Sequence, residues 1–340
     1  MAALDDCGGV RVRRRKKPAR RTARKEANVS LFQTYIAIFA TISLFIYGLK
    51  SFSSEVGELG SGRLRKLLSD ITRYRMAGFL LGGTLTAFIQ SSSAVTSITV
   101  ALVDAGVITF ADSLAVMLGA NVGTTSTAWL VTFKIGQVAP VFIVLGTVAG
   151  MLPARARVAG KALFYFGLIL FSLELISQAM APLKSDPRIV SALAFTGHRL
   201  YGVLAGMLVT TLVQSSSVTT GLAIILAQQG LLTTEGAIAV MIGSNVGTTT
   251  TAMIVSWRMS FPAKLAARAN FLFKTVGVII CFPFIGYFDD LARLFTADTG
   301  FQVAFAHLFF NIVVSAMMLP FLRHLANLML RLSGRPPARA

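Results

Sequence analysis

Charge is scarce in this chain of 340 residues: 14% of its side chains are Asp, Glu, Lys or Arg, against 54% that are hydrophobic, and the mean hydropathy is +0.70. That balance excludes an ordinary soluble globular domain. Cysteine is nearly absent, with Cys7 near the N-terminus and Cys281 in an apolar run, too few for a disulfide framework and without metal-ligand spacing. The three histidines, His198, His307 and His324, are not clustered, which argues against a metal centre. A phosphate-binding G-x-x-x-x-G-K-[ST] loop is missing, and no acid, base and nucleophile are grouped. An enzyme is therefore the poorest fit, no cofactor is expected, and ATP is not the expected energy source.

What the chain has in abundance is apolar sequence of membrane-spanning length. Such runs recur at about 31–49, 112–133, 138–152, 161–182, 236–256, 267–287 and 301–322, some short enough to require tilt or a break. They do not alternate, so a transmembrane barrel is excluded and the expectation is an all-α polytopic membrane protein. The formal charge of +18 is unevenly spread, because Arg11 to Lys25 alone hold ten basic residues. That block reads as a disordered topology determinant attracted to anionic lipid, and no folded partner surface for nucleic acid accompanies it. The run at 31–49 lacks a clear small-residue cleavage site and reads as an uncleaved first span rather than a signal peptide. Lysine and arginine divide almost equally between alternate loops, so only the dense N-terminal block favours a cytoplasmic N-terminus.

The sequence also repeats itself. Residues 78–128 match 202–252 without a gap at an offset of 124, with 23 of 51 positions identical. A weaker match upstream pairs "FIYGLKSFSSE" (45–55) with "FYFGLILFSLE" (164–174). Each copy reads as one span, a polar-tipped hairpin that re-enters without crossing, and two further spans. Three crossings per copy would invert the second relative to the first, the architecture of many secondary transporters. The expected organisation is a basic cytoplasmic tail at 1–30, a first repeat at 31–152, and a second at 153–290. A final transmembrane helix at 291–325 and a short basic tail at 326–340 complete it.

Two motifs recur at the same separation of 31 residues in both copies. The first is Gln90-Ser91-Ser92-Ser93 and Gln214-Ser215-Ser216-Ser217, placed where polar residues are costly. A helix, a tight break and a second helix would turn the N–H groups of a half-helix, with serine hydroxyls beside them, into a neutral cradle for an oxyanion. The second runs from Gly119 through Asn121, Thr124 and Thr125, and again from Gly243 through Asn245, Thr248 and Thr249. Asparagine and threonine oxygens, alongside any carbonyls freed by a break at the glycines, would suit sodium. Small residues also let helices pack closely in lipid, but packing alone rarely requires both motifs twice at one spacing.

On these paired motifs, residues 31–325 resemble the type II sodium/phosphate cotransporters in their short bacterial form. The resemblance implies inverted copies whose hairpins meet near the membrane centre, transport of inorganic phosphate coupled to sodium, and a multi-pass protein of the plasma (inner) membrane, with a homodimer as a further expectation. It implies that Ser91, Ser92, Ser93, Ser215, Ser216 and Ser217 contact phosphate or sodium and that Gln90 and Gln214 order the tips. Asn121, Thr124, Thr125, Asn245, Thr248 and Thr249 are assigned to sodium coordination or to support of the hairpins. The cytoplasmic PhoU-like regulatory domain of some relatives is not expected, since only "RLSGRPPARA" follows the membrane part. Independently of the resemblance, divalent phosphate is costly in a low-dielectric site, and the motifs contain no lysine or arginine, so co-bound sodium is the expected source of compensating charge.

Glu55 and Glu174 stand near span ends as candidates for ion binding or gating, or else as interfacial acids paired with a base. Asp104 and Gln228 occupy equivalent places and could gate the two halves differently. Asn270 and Lys274 align with His307 and Asn311 as scaffold contacts or polar glue. The alternatives to a sodium-coupled phosphate importer are a sodium-linked exporter, a carrier of another oxyanion, and a membrane ion-binding sensor or scaffold that moves nothing.

Overall fold

The computed structural model describes residues 32–57, 72, 74–133, 138–153, 155–194 and 198–333. The tail at 1–30 and residues 334–340 lie outside the described residues. Among the described residues there are helices and no strands, as an apolar environment requires, because a helix satisfies its backbone groups within its own segment. Six helical segments are long and apolar enough to cross a membrane: Phe32–Gly57, Phe110–Thr132, Ala156–Lys184, Thr234–Arg258, Phe261–Arg293 and Thr299–Leu332. The protein is an all-α, polytopic membrane protein.

In chain order the helices are α1 (Phe32–Gly57), α2 (Arg75–Ile89), α3 (Ser92–Asp104), α4 (Phe110–Gly123), α5 (Thr125–Thr132), α6 (Ala139–Gly150), α7 (Arg155–Met180) and α8 (Pro187–Ala194). The second set is α9 (Arg199–Val213), α10 (Ser216–Gln228), α11 (Thr234–Gly247), α12 (Thr249–Val255), α13 (Phe261–Cys281), α14 (Ile285–Arg293), α15 (Thr299–Met318) and α16 (Leu322–Leu332). The duplication read from sequence thus reappears as α2–α5 and α9–α12, equal in length pair by pair except that α12, with 7 residues, is shorter than α5, with 8.

One expected span is too short. The run at 138–152 forms α6, whose 12 residues extend about 18 Å at 1.5 Å per residue, well under the ~30 Å of a hydrocarbon core. Pro140 sits at its first turn and Pro153 follows its end, and both are helix boundaries for steric reasons. It folds back on α7, where a Cβ on Gly146 would meet Phe164 N at 2.2 Å and one on Gly160 would meet Gly150 N at 2.2 Å. At the other end, the helical chain continues to Leu332, so the stretch read as a tail from 326 begins inside α16, whose Leu322 and Ala326 are buried.

Close approach of helices within each copy is what places the site. Gly78, Gly82 and Thr86 form the buried stripe of α2, and Gly202, Gly206 and Thr210 form that of α9, both spaced at four residues. A Cβ on Gly119 of α4 would lie 1.8 Å from Phe79 O, and one on Gly243 of α11 would lie 1.9 Å from Val203 O. Only glycine permits that backbone contact. Helices α4 and α11 are buried almost all round and form the centres of two apolar cores, one joined by α13 and α16 and the other by α1, α7, α10 and α15.

Candidate functional site

Each copy carries a break after its first short helix. Gln90 ends α2 with φ 58° and Gln214 ends α9 with φ 60°, the only non-glycine residues at positive φ among those described. A non-glycine residue held there costs about 1–3 kcal/mol, and such strain is characteristic of functional positions. The next residue is extended and caps the following helix: Ser91 Oγ accepts from Ala94 N at 3.2 Å, and Ser215 Oγ accepts from Val218 N at 3.4 Å. In the second copy Thr210 Oγ1 donates to Thr219 Oγ1 at 2.7 Å, which joins α9 to α10 across the break.

The glutamines hold the breaks in place. Gln90 Nε2 donates to Ala87 O and, at 2.9 Å, to Ser126 Oγ, while its Oε1 accepts from Thr127 Oγ1 at 2.8 Å. Gln214 makes the same set: Nε2 to Thr211 O at 2.5 Å and to Thr250 Oγ1 at 3.0 Å, and Oε1 from Thr251 Oγ1 at 2.6 Å. Both amides use donor and acceptor fully, and each fixes its break to the start of α5 or α12. Ser126, Thr127, Thr250 and Thr251 were not singled out from sequence. Their signal was the duplication itself, in which Thr127 matches Thr251 and Ser126 matches Thr250.

The two breaks meet. A cavity of about 320 Å³ is lined by Gln90, Ser91, Ser92 and Ser93 from one copy and Gln214, Ser215, Ser216 and Ser217 from the other, with Thr251 and the α1 residues Leu49, Lys50 and Ser53 completing the wall. Helices α3 and α10 both begin at this cavity, and their first N–H groups have no partner within the helix, so partial positive charge and hydroxyl donors converge there. A bond of 3.4 Å from Ser217 Oγ to Thr127 Oγ1 ties the copies together beside it. Lys50 corrects one expectation: the motifs contain no basic residue, but α1 brings one to the cavity.

The second motif differs from its expected form. Helix α4 runs through Gly119 to Gly123, α11 runs through Gly243 to Gly247, and Thr124 and Thr248 remain right-handed helical before α5 and α12 begin. The glycines serve close packing, and no break at them frees carbonyls, because Thr124, Thr125, Thr248 and Thr249 return their hydroxyls to Ala120, Val122, Ser244 and Val246 O at 2.7–3.0 Å. None of these four, nor Asn121 or Asn245, lines the serine cavity, and Thr125 lines a separate pocket with Ser126, Gly119 and Gly123. Asn245 Nδ2 donates to Met241 O at 3.1 Å, whereas Asn121 Oδ1 is buried with no partner among the described residues.

The other candidates lie elsewhere. Glu55 pairs with Lys161 at 3.1 Å, and its Oε2 is buried without a partner among the described residues. Glu174 accepts from Gln178 Nε2 at 3.0 Å and lines a separate cavity of about 570 Å³ with Ser177, Gln228 and Gln229. Asp104 accepts from Ser260 N at 2.6 Å at the start of α13. Asn270 and Lys274 of α13 and His307, Asn311 and Ser315 of α15 are all buried. Asn311 Nδ2 reaches His307 O at 2.9 Å, and Asn270 Oδ1, both ring nitrogens of His307 and Ser315 Oγ have no partner among the described residues.

Comparison with known proteins agrees with the duplicated geometry. The family model described as Na+/Pi-cotransporter matches twice, over residues 44–178 and 185–319. A protein of Escherichia coli (strain K12) named for inorganic phosphate export, YjbB, is 29% identical over 297 residues, which is 86% of this chain and 55% of the relative. This chain therefore spans about half the length of that relative. The uncharacterized protein YqeW of Bacillus subtilis (strain 168) is 28% identical over 301 residues, 87% of this chain and 96% of its own. The sodium-dependent phosphate transport protein 2A of Ovis aries is 32% identical over 147 residues, 40% of this chain and 23% of its own. No solved structure matches the chain.

Proposed function

The chain belongs to the Na+/Pi-cotransporter family, and from that premise we propose that it carries inorganic phosphate across the plasma membrane by alternating access, coupled to sodium. The observation that carries this reading is the single cavity shared by the two Gln-Ser-Ser-Ser breaks. A tetrahedral oxyanion has acceptor oxygens on every side, and the cavity answers with donors from two helix starts and six serines. Ser92, Ser93, Ser216 and Ser217 contact the anion, Ser91 and Ser215 hold the caps, and Gln90 and Gln214 keep the strained tips in register.

Sodium enters the reading through charge. Neutral donors alone do not offset a divalent anion in a site removed from water, and bound cations lower that cost. The oxygens nearest the cavity from the second motif's neighbourhood are the hydroxyls of Thr127 and Thr251, with Asn121 and Asn245 and the threonines at 124, 125, 248 and 249 as the layer that positions them. If phosphate and sodium each bind better with the other present, the linkage is reciprocal and the two move together. The breaks are re-entrant hairpins of two inverted copies in this reading, and the copies exchange exposure to the two sides.

A second reading concerns direction alone, and the export function in the name of YjbB favours it: the same carrier run outward. The test for both is labelled phosphate movement in proteoliposomes under a sodium gradient imposed in either direction, against an equal potassium gradient. Movement that follows the sodium gradient supports the proposal. Equal movement in both salts removes sodium from it, and movement of sulfate in place of phosphate removes the substrate.

A further inference from the structure

Among the described residues, Lys50 is the one charged side chain that lines the serine cavity, and no carboxylate of theirs lines it. The other described residues of the wall are the eight motif residues with Leu49, Ser53 and Thr251. Lys50 lies on α1 with an exposed side chain, and no ion-pair partner for it is found among the described residues. The nearest acid along α1, Glu55, is engaged by Lys161. In the duplication the position equivalent to Lys50 is Ile169, a buried apolar residue of α7, and the equivalent of Ser53 is Ser172, whose hydroxyl returns to Leu168 O at 2.8 Å. The cavity is therefore two-fold in its serines and one-sided in its charge.

We propose that Lys50 is an anion-selecting residue of this site: its ammonium draws a phosphate oxygen to the α1 wall and supplies one fixed positive charge in place of one coupling cation. The inference rests on the phosphate-carrier reading and deepens it. A fixed cation at the mouth of a low-dielectric cleft raises the local concentration of an anion and lowers that of a cation. The α1 wall is then the anion's side of the cavity, and sodium is held toward Thr127, whose Oγ1 accepts from the anion-contacting Ser217 across the copies at 3.4 Å. Because Lys50 is exposed while Ser92, Ser216 and Ser217 are buried, the charge acts first on capture of the anion and only secondarily on its passage.

The experiment uses the full chain in proteoliposomes, with unlabelled wild type as the reference for phosphate transport. Lys50→Gln is expected to raise the phosphate KM about tenfold with Vmax changed less than about twofold, and the deficit should shrink as ionic strength rises and screens the wild-type charge. Lys50→Arg is expected to stay near wild type. In a Cys7→Ser background, where Cys281 is buried, Lys50→Cys should regain phosphate affinity on modification with a positively charged methanethiosulfonate, lose more with a negatively charged one, and be protected from both by phosphate. A wild-type KM in Lys50→Gln, or equal effects of the two reagents, would overturn the role of Lys50 while leaving the carrier reading intact. Absence of phosphate transport by the wild type would instead remove the reading on which it rests.

Discussion

The first and second copies agree in their breaks and disagree around them, and the division is informative. Both glutamines sit at φ near 60° and make the same three kinds of hydrogen bond. Both glycine stripes bring backbone against backbone. Away from these features the copies drift: Thr210 bonds Thr219 across the second break, but Thr86, its equivalent, has Val95 in the place of Thr219 and a buried hydroxyl with no partner among the described residues. Asn245 Nδ2 is bonded to Met241 O, whereas Asn121 Oδ1 has no partner among the described residues. Lys50 is opposed by Ile169 in the duplication. What is paired builds the shared cavity, and what is unpaired makes its two sides unequal.

The comparison can be broken most severely at the glycines. Gly119→Val or Gly243→Val drives a side chain into a backbone carbonyl and should cost about 3 kcal/mol or more, so that little monodisperse protein is recovered in detergent; Gly150→Ala, with nothing within 4 Å, should be silent by the same assay. Next come the glutamines. Gln90→Leu and Gln214→Leu each forfeit three hydrogen bonds worth about 1 kcal/mol apiece and should lower Tm similarly while reducing phosphate flux to under about a tenth. A large loss in one copy and none in the other would show that the breaks are not equivalent.

Ser92→Ala and Ser216→Ala should separate site from scaffold, because neither hydroxyl makes a hydrogen bond among those found within the protein. Flux is expected to fall about tenfold or more, while Tm shifts by the equivalent of less than about 1 kcal/mol. The smallest effect tests the asymmetry. Thr210→Val should cost about 1 kcal/mol, Thr86→Val should cost almost nothing, and Val95→Thr should gain a fraction of that by giving Thr86 the partner its equivalent already has; thermal melts of the three variants check the order.

Much of this was legible because membrane sequence is constrained. Apolar length gave all six long segments almost directly, with 138–152 as one span too many, and the duplication pointed to both breaks, since three serines after a glutamine are conspicuous where polar groups are costly. Reading fails where one residue type serves two ends. Glycine within a helix signals either a break or a close approach, and Gly119 and Gly243 proved to be the second. The segment at 138–152 was apolar but ended by prolines, so hydropathy outran geometry. Lys50 was invisible for a different reason: it lies 40 residues before Gln90 in a stretch without a motif, and only the path of α1 brings it to the serines. The glutamine partners at 126, 127, 250 and 251 were within view, because a buried amide must find donors and acceptors somewhere.

The central claim is that two copies build one anion site between them. Equilibrium binding of labelled phosphate to purified protein in sodium tests it directly, by stoichiometry, in the wild type, Ser92→Ala and Ser216→Ala. One phosphate per chain, weakened by either substitution alone, is the expected result. Two phosphates per chain, with each substitution removing one and sparing the other, would contradict it.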